Sequence, residues 1–93
     1  MFGRIKKPEN YIGALERGAA LVDVRTEAEF AQGHHPQSIN LPLQRLAEWA
    51  PRYQAGDEVV VVCRSGSRSG MAALQLRKRG VHAVNGGPWN RLT

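Results

Sequence analysis

Ninety-three residues, 42% hydrophobic and 23% charged, have the composition of one ordinary folded domain whose small core needs no covalent staple. The single cysteine excludes an internal disulfide, a Cys-x-x-Cys redox pair and a multi-cysteine zinc site. Thirteen Lys and Arg against eight Asp and Glu, a net charge of +5, suit a small anionic substrate or an acidic partner rather than nucleic acid, because no RNP-like aromatic motif or zinc finger accompanies them.

The start lacks the apolar run of ~7–15 residues that a secretory signal needs. No stretch approaches the ~20 apolar residues of a membrane span, so the expectation is a cytoplasmic protein without a membrane partner. Outside Lys6-Lys7 and Arg77-Lys78-Arg79 the basic residues are scattered. Pro8-Glu9-Asn10 opens a short helix through Tyr11, Ile12, Ala14 and Leu15, which Gly18 stops. Ala20–Val24 reads as a compact buried strand, and Thr26 caps a second short helix through Glu27, Glu29 and Phe30 that ends at Gly33. Ile39–Leu41 is a brief strand closed by Pro42, after which Leu43, Leu46, Ala47 and Ala50 recur at helical spacing until Pro51. Gln54-Ala55-Gly56-Asp57 is a turn. Glu58–Cys63 is an uninterrupted β-branched run, which implies burial on both faces of a parallel sheet covered by helices. Arg68–Arg79 is predicted helical, with Ala72, Ala73 and Leu76 on one face and Arg77 to Arg79 complementing the C-terminal dipole. Gly80 ends it, and Val81–Val84 is a last short strand before Gly86-Gly87-Pro88. The alternation predicts one α/β domain over residues 1–93, with a small central parallel β-sheet and helices on both faces.

In an open α/β sheet, ligands bind beyond the carboxyl ends of the strands, which is where Cys63 stands. The loop that follows, Arg64-Ser65-Gly66-Ser67-Arg68-Ser69, is small and cationic. Gly66 and the serines allow tight curvature, so that main-chain N–H groups can turn inward over the sulfur as an anion nest beside a helix N-terminus. These surroundings, with Arg64 and Arg68 nearby, favour a thiolate below the ordinary cysteine pKa of ~8.5. Four valines before a lone cysteine equally describe a core residue. The loop decides for a nucleophile, because a merely structural strand end has no use for it. A phosphate-binding P-loop would need a Gly-Lys-Ser/Thr ending, which is absent.

Three separated pieces resemble the single-domain rhodanese (thiosulfate sulfurtransferase) family. The first is Leu21-Val22-Asp23-Val24-Arg25 with Glu29-Phe30 and Gly33-His34, which is similar to the family's Asp-x-Arg, Glu-Tyr/Phe and Gly-His signature. The second is the loop Cys63–Ser69, and the third runs from Gly80-Val81 through Val84-Asn85-Gly86-Gly87 to Trp89. The resemblance implies a rhodanese-like fold in which Arg25 pairs with Glu29 to fix the strand-to-helix turn. Asp23, Arg25, Glu29 and His34 are then structural supports, His34 as a capping or hydrogen-bonding residue rather than a general base. Trp49 and Trp89 read as packing residues. His35 and Gln37 depart from the family pattern, and only four residues follow Trp89 where the family usually has a closing helix, so the expectation is a sheet left partly uncovered.

Cys63 to Arg68 spans Cys-x4-Arg, as in sulfurtransferases, where the related phosphatases use Cys-x5-Arg to wrap a phosphoryl group. The family likeness therefore implies ping-pong sulfur transfer through a Cys63 persulfide. Thiosulfate is the expected donor, cyanide or a thiol the acceptor, and the loop from Arg64 to Ser69 the substrate cradle. The alternative is a persulfide carrier or interaction module that exchanges sulfur with a partner protein and turns over small donors poorly. No cofactor and no metal are expected, and the chain reads as a monomer or weak dimer.

Overall fold

The computed structural model describes residues 10–92; Lys6-Lys7 and the Pro8-Glu9 opening of the first helix lie outside them. In chain order the elements are α1 (Asn10–Glu16), β1 (Ala20–Asp23), α2 (Glu27–Ala31), β2 (Ile39–Asn40), α3 (Leu46–Trp49), β3 (Glu58–Cys63), α4 (Ser67–Lys78) and β4 (His82–Pro88). The strands form one parallel sheet in the order β2-β1-β3-β4. The four carboxyl ends therefore lie along one edge, where a ligand site belongs.

The valine run makes β3 the spine of the core. Val59, Val60, Val61, Val62 and Cys63 have no exposed surface, and each such valine contributes about 1.5–3 kcal/mol of burial. Because side chains alternate along a strand, the run serves both faces. Val59, Val61 and Cys63 join Val22, Trp49, Ala72, Ala73 and Leu76, so α3 and α4 cover that side. Val60 and Val62 join Tyr11, Ala14 and Leu21, and α1 covers the other. Among the described residues no helix is long and apolar enough to cross a membrane.

Two elements differ from the expectation. Leu43 to Arg52 is not one helix but a 3-10 turn (Leu43–Arg45), the single turn of α3, and a second 3-10 turn (Ala50–Arg52). Pro51 lacks the N–H that a continuing helix would need, and Trp49 is anchored by donating from Nε1 to the Pro42 carbonyl at 2.9 Å. The last strand does not stop at Val84 but runs on to Pro88. Asn85 faces Val61 and Gly87 faces Val62, leaving Gly86 as the extra residue of a bulge. A Cβ at Gly86 would lie 2.9 Å from Val60 Cγ1 and 3.0 Å from Val62 Cγ1. The glycine that reads as a strand breaker is thus what lets the strand pass.

Candidate functional site

Cys63 is the last residue of β3, and the chain turns back into α4 within three residues. Gly66 makes the turn at φ +100°, a left-handed conformation open to glycine at little steric cost. The Gly66 N–H then donates to Cys63 Sγ at 3.0 Å, and the Ser69 N–H donates to it at 3.3 Å. Ser69 is the third residue of α4, and its N–H is one of the donors a helix start leaves unpaired. An N-cap side chain usually accepts it, but the cap here is Gly66, which has none. Sulfur takes the place of the capping oxygen.

Ser69 Oγ also lies 3.3 Å from the sulfur. Burial pushes the Cys63 thiol up, yet its contacts with Ser69 and with the N–H groups of Gly66 and Ser65 outweigh it and leave the thiol below its ordinary range. The expected inward amides are present. The residue itself has no exposed surface, which the strand-end position alone did not indicate.

Asn85, a residue of the C-terminal signature without an expected role, braces this loop from β4. Its Oδ1 accepts from Ser69 Oγ at 2.6 Å and from the Gly87 N–H at 3.0 Å, while Nδ2 donates to the Gly66 carbonyl at 2.9 Å. Asn85 is 16 residues from Ser69, and its pairing opposite Val61 of β3 brings it there.

The supporting residues are distributed differently from the expectation. Arg25 does not pair with the Glu29 carboxylate. Its guanidinium holds Asp23, from Nε to Oδ1 at 2.9 Å and from Nη2 to Oδ2 at 2.8 Å, with both residues buried. It reaches Glu29 only at the main-chain carbonyl, at 3.4 Å, and also donates to the Gly33 carbonyl at 2.7 Å. Two residues apart at the end of β1, Asp23 and Arg25 pair their charges, and Arg25 directs its remaining donors to main-chain carbonyls across the turn. The Arg25 guanidinium lies 4.6 Å over the Trp89 ring, so Trp89 packs at the rim of the site.

The Glu29 carboxylate instead binds Arg68, with Nη1 to Oε1 at 2.7 Å and Nη2 to Oε2 at 3.0 Å. It also closes the capping box with Thr26. Arg68 first, and the Thr26 N–H second, hold the Glu29 carboxyl down at about 2. Arg68 is therefore a neutralised cation, whereas Arg64 is exposed and makes no ion pair among the described residues.

His34 stacks on Phe30 at 3.7 Å and places Nδ1 2.8 Å from the Phe30 carbonyl, a local structural role. His35 Nδ1 accepts from the Gln37 N–H. Among the described residues no three His, Cys, Asp or Glu side chains converge as metal ligands would. Beside the loop, a cleft of about 380 Å³ is lined by Arg25, Glu29, Gln32, Gly33, Arg64, Trp89 and Asn90.

Residues 7–88 match the family described as Rhodanese-like domain. The chain is 36% identical over 83 residues to the thiosulfate sulfurtransferase GlpE of Pseudomonas savastanoi, covering 86% of this chain and 78% of that protein. It is 34% identical over 64 residues to the putative sulfur carrier protein YrkF of Bacillus subtilis, covering 69% of this chain and 35% of YrkF. Among solved structures, the human single-domain sulfurtransferase TSTD1 superposes with a TM-score of 0.67 at 26% identity, covering 91% of this chain and 90% of that one. A thiol held by main-chain amides at the carboxyl edge of a parallel sheet and a family match over residues 7–88 agree: the chain belongs to the rhodanese family.

Proposed function

We propose that this chain transfers the outer sulfur of thiosulfate to a nucleophilic acceptor through a persulfide on Cys63. The observation that carries the reading is the pair of N–H donors from Gly66 and Ser69 on Cys63 Sγ, which favours an anionic sulfur at that point. In the first step the Cys63 thiolate attacks the outer sulfur of thiosulfate. A Cys63–sulfur bond forms, the S–S bond of the donor breaks, and its electron pair leaves on sulfite. The persulfide anion occupies the amide cradle of residues 64–69, which spreads its charge. In the second step cyanide or a thiolate attacks the outer sulfur and returns the Cys63 thiolate, as a ping-pong cycle requires.

Arg64, exposed at the cleft, is a cation placed to meet a dianionic donor. Arg68, pinned by Glu29, shapes the loop and contributes a partly cancelled charge. The fully buried sulfur requires the loop to open for the donor to reach it, and Ser65, Gly66 and Ser67 present little bulk to move.

The likeness to a putative sulfur carrier supports a second reading, in which Cys63 takes sulfur from a protein persulfide and turns over small donors slowly. Intact mass after brief thiosulfate treatment separates the two. A gain of one sulfur atom that cyanide removes and that Cys63→Ser lacks is the expected result. No gain from thiosulfate, with loading from a protein persulfide, establishes the carrier instead.

A further inference from the structure

Ser69 has one hydroxyl proton and two neighbours able to accept it, Asn85 Oδ1 at 2.6 Å and Cys63 Sγ at 3.3 Å. The choice follows from main-chain groups whose polarity is not in question. The Gly87 N–H, a donor, faces Oδ1, and the Gly66 carbonyl, an acceptor, faces Nδ2. Turning the amide over would oppose donor to donor and acceptor to acceptor, so its orientation is set by the network. An amide oxygen only accepts. The Ser69 hydroxyl must therefore donate to Asn85, and the lone pairs of its oxygen are what face the sulfur.

Taking Cys63 as the reacting sulfur, as proposed above, we propose that Asn85 is a positioning residue of the sulfur site: it holds the Ser69 hydroxyl proton away from Cys63 Sγ, so that main-chain N–H groups alone stabilise the anion. In the thiol form the proton of Cys63 points to Ser69 Oγ, and a chain of donors runs from sulfur through the hydroxyl to Asn85. In the thiolate form the hydroxyl stays with Asn85. The hydroxyl can lower the pKa of the thiol only when Asn85 releases it. A thiolate with one donor fewer is a stronger nucleophile, because nucleophilicity falls as the thiol becomes more acidic. The other charged groups around the sulfur are Arg64 in the loop, Arg68 on α4 paired with Glu29, Asp23 on β1 paired with Arg25, and Arg91, whose guanidinium lies beside Gly87. None of them bonds to Asn85.

Asn85→Leu, Ser69→Ala and the double variant test this. Leucine occupies similar space without an acceptor. With one cysteine in the chain, the ultraviolet thiolate absorbance followed against pH, corrected with Cys63→Ser, reads this thiol alone. Asn85→Leu should lower the Cys63 pKa by about one unit, a tenfold change in ionisation, because the freed hydroxyl turns to the sulfur. Ser69→Ala should not raise the pKa in the wild-type chain, since it removes only an acceptor of the thiol proton, and in the Asn85→Leu chain it should return the pKa to the Ser69→Ala value. A raised or unchanged pKa in Asn85→Leu overturns the proposal, since a mere brace would loosen the amides and raise it. So does a raised pKa in Ser69→Ala alone, a variant that keeps the Asn85 brace on Gly66. None of these readouts uses sulfur transfer, so thiosulfate loading of the wild-type chain tests the functional reading separately.

Discussion

Glu29 shows how one carboxylate can serve two structures. Its Oε1 accepts from the Thr26 N–H at 2.9 Å and from Arg68 at 2.7 Å, tying the start of α2 to the start of α4. The pattern Thr26-x-x-Glu29 is legible as a capping box, and the box is present. The cation that completes the site was not legible. Arg25 is four residues from Glu29, and Arg68 is 39 away; local spacing favours the nearer, but the sheet brings the farther. The Glu29 carboxyl drops from an ordinary 4.5 to about 2 on folding, so the folded state holds the ion pair more tightly than it holds the acid. That stabilisation is fully present above about 4.5 and is lost as pH falls through about 2. With both side chains about one-third exposed, the pair is worth at most about 1 kcal/mol. The unfolding temperature of the wild type should exceed that of Glu29→Gln by a few degrees near neutrality. The gap should close as the pH is lowered through 4 to 2; a gap independent of pH would show that the Glu29 charge is not its source.

The loop and β4 act together as elements. Gly66 must hold φ +100°, and a Cβ there would come 3.4 Å from the Gly87 Cα, so the β4 glycines make room for the loop. A left-handed conformation costs a residue with a side chain about 1–2 kcal/mol. Gly66→Ala should destabilise the chain by about that amount in denaturant unfolding, or relax by turning its N–H off the sulfur. In the second case the Cys63 thiol rises in pKa, as thiolate absorbance would show; a variant unchanged in both would dismiss the strained turn as the source of the cradle. The turn itself was readable from Gly66 among serines. The length of β4 was not, because glycine is a poor strand former and only the crowding of Gly86 against Val60 and Val62 shows why it is required.

Across the whole molecule, charge is divided along the chain. Residues 59–93 carry six Lys or Arg and no Asp or Glu, whereas residues 1–58 carry seven and eight. The cationic part supplies the loop, α4 and β4. Arg77, Lys78 and Arg79 sit at the far end of α4, beyond a Debye length of about 10 Å at 0.1 M salt, so the field at the site comes from Arg64 and from Arg91 beside Gly87. For the proposed reaction, kcat/KM with thiosulfate should fall several-fold between low and moderate ionic strength, while an uncharged donor shows no such change; equal salt dependence of both would remove charge steering from the account. The amino-acid sequence alone determined the class of fold, the spine of the core and the identity and loop of the thiol. Those features are written in neighbouring residues, in a β-branched run, a glycine turn and a capping box. Tertiary structure alone decided that Arg68 rather than Arg25 meets the Glu29 carboxylate, that the sulfur is fully buried, and that Asn85 meets Ser69. Each of those contacts joins residues from different elements, and the register of a twisted sheet, not their spacing along the chain, sets the distance between them.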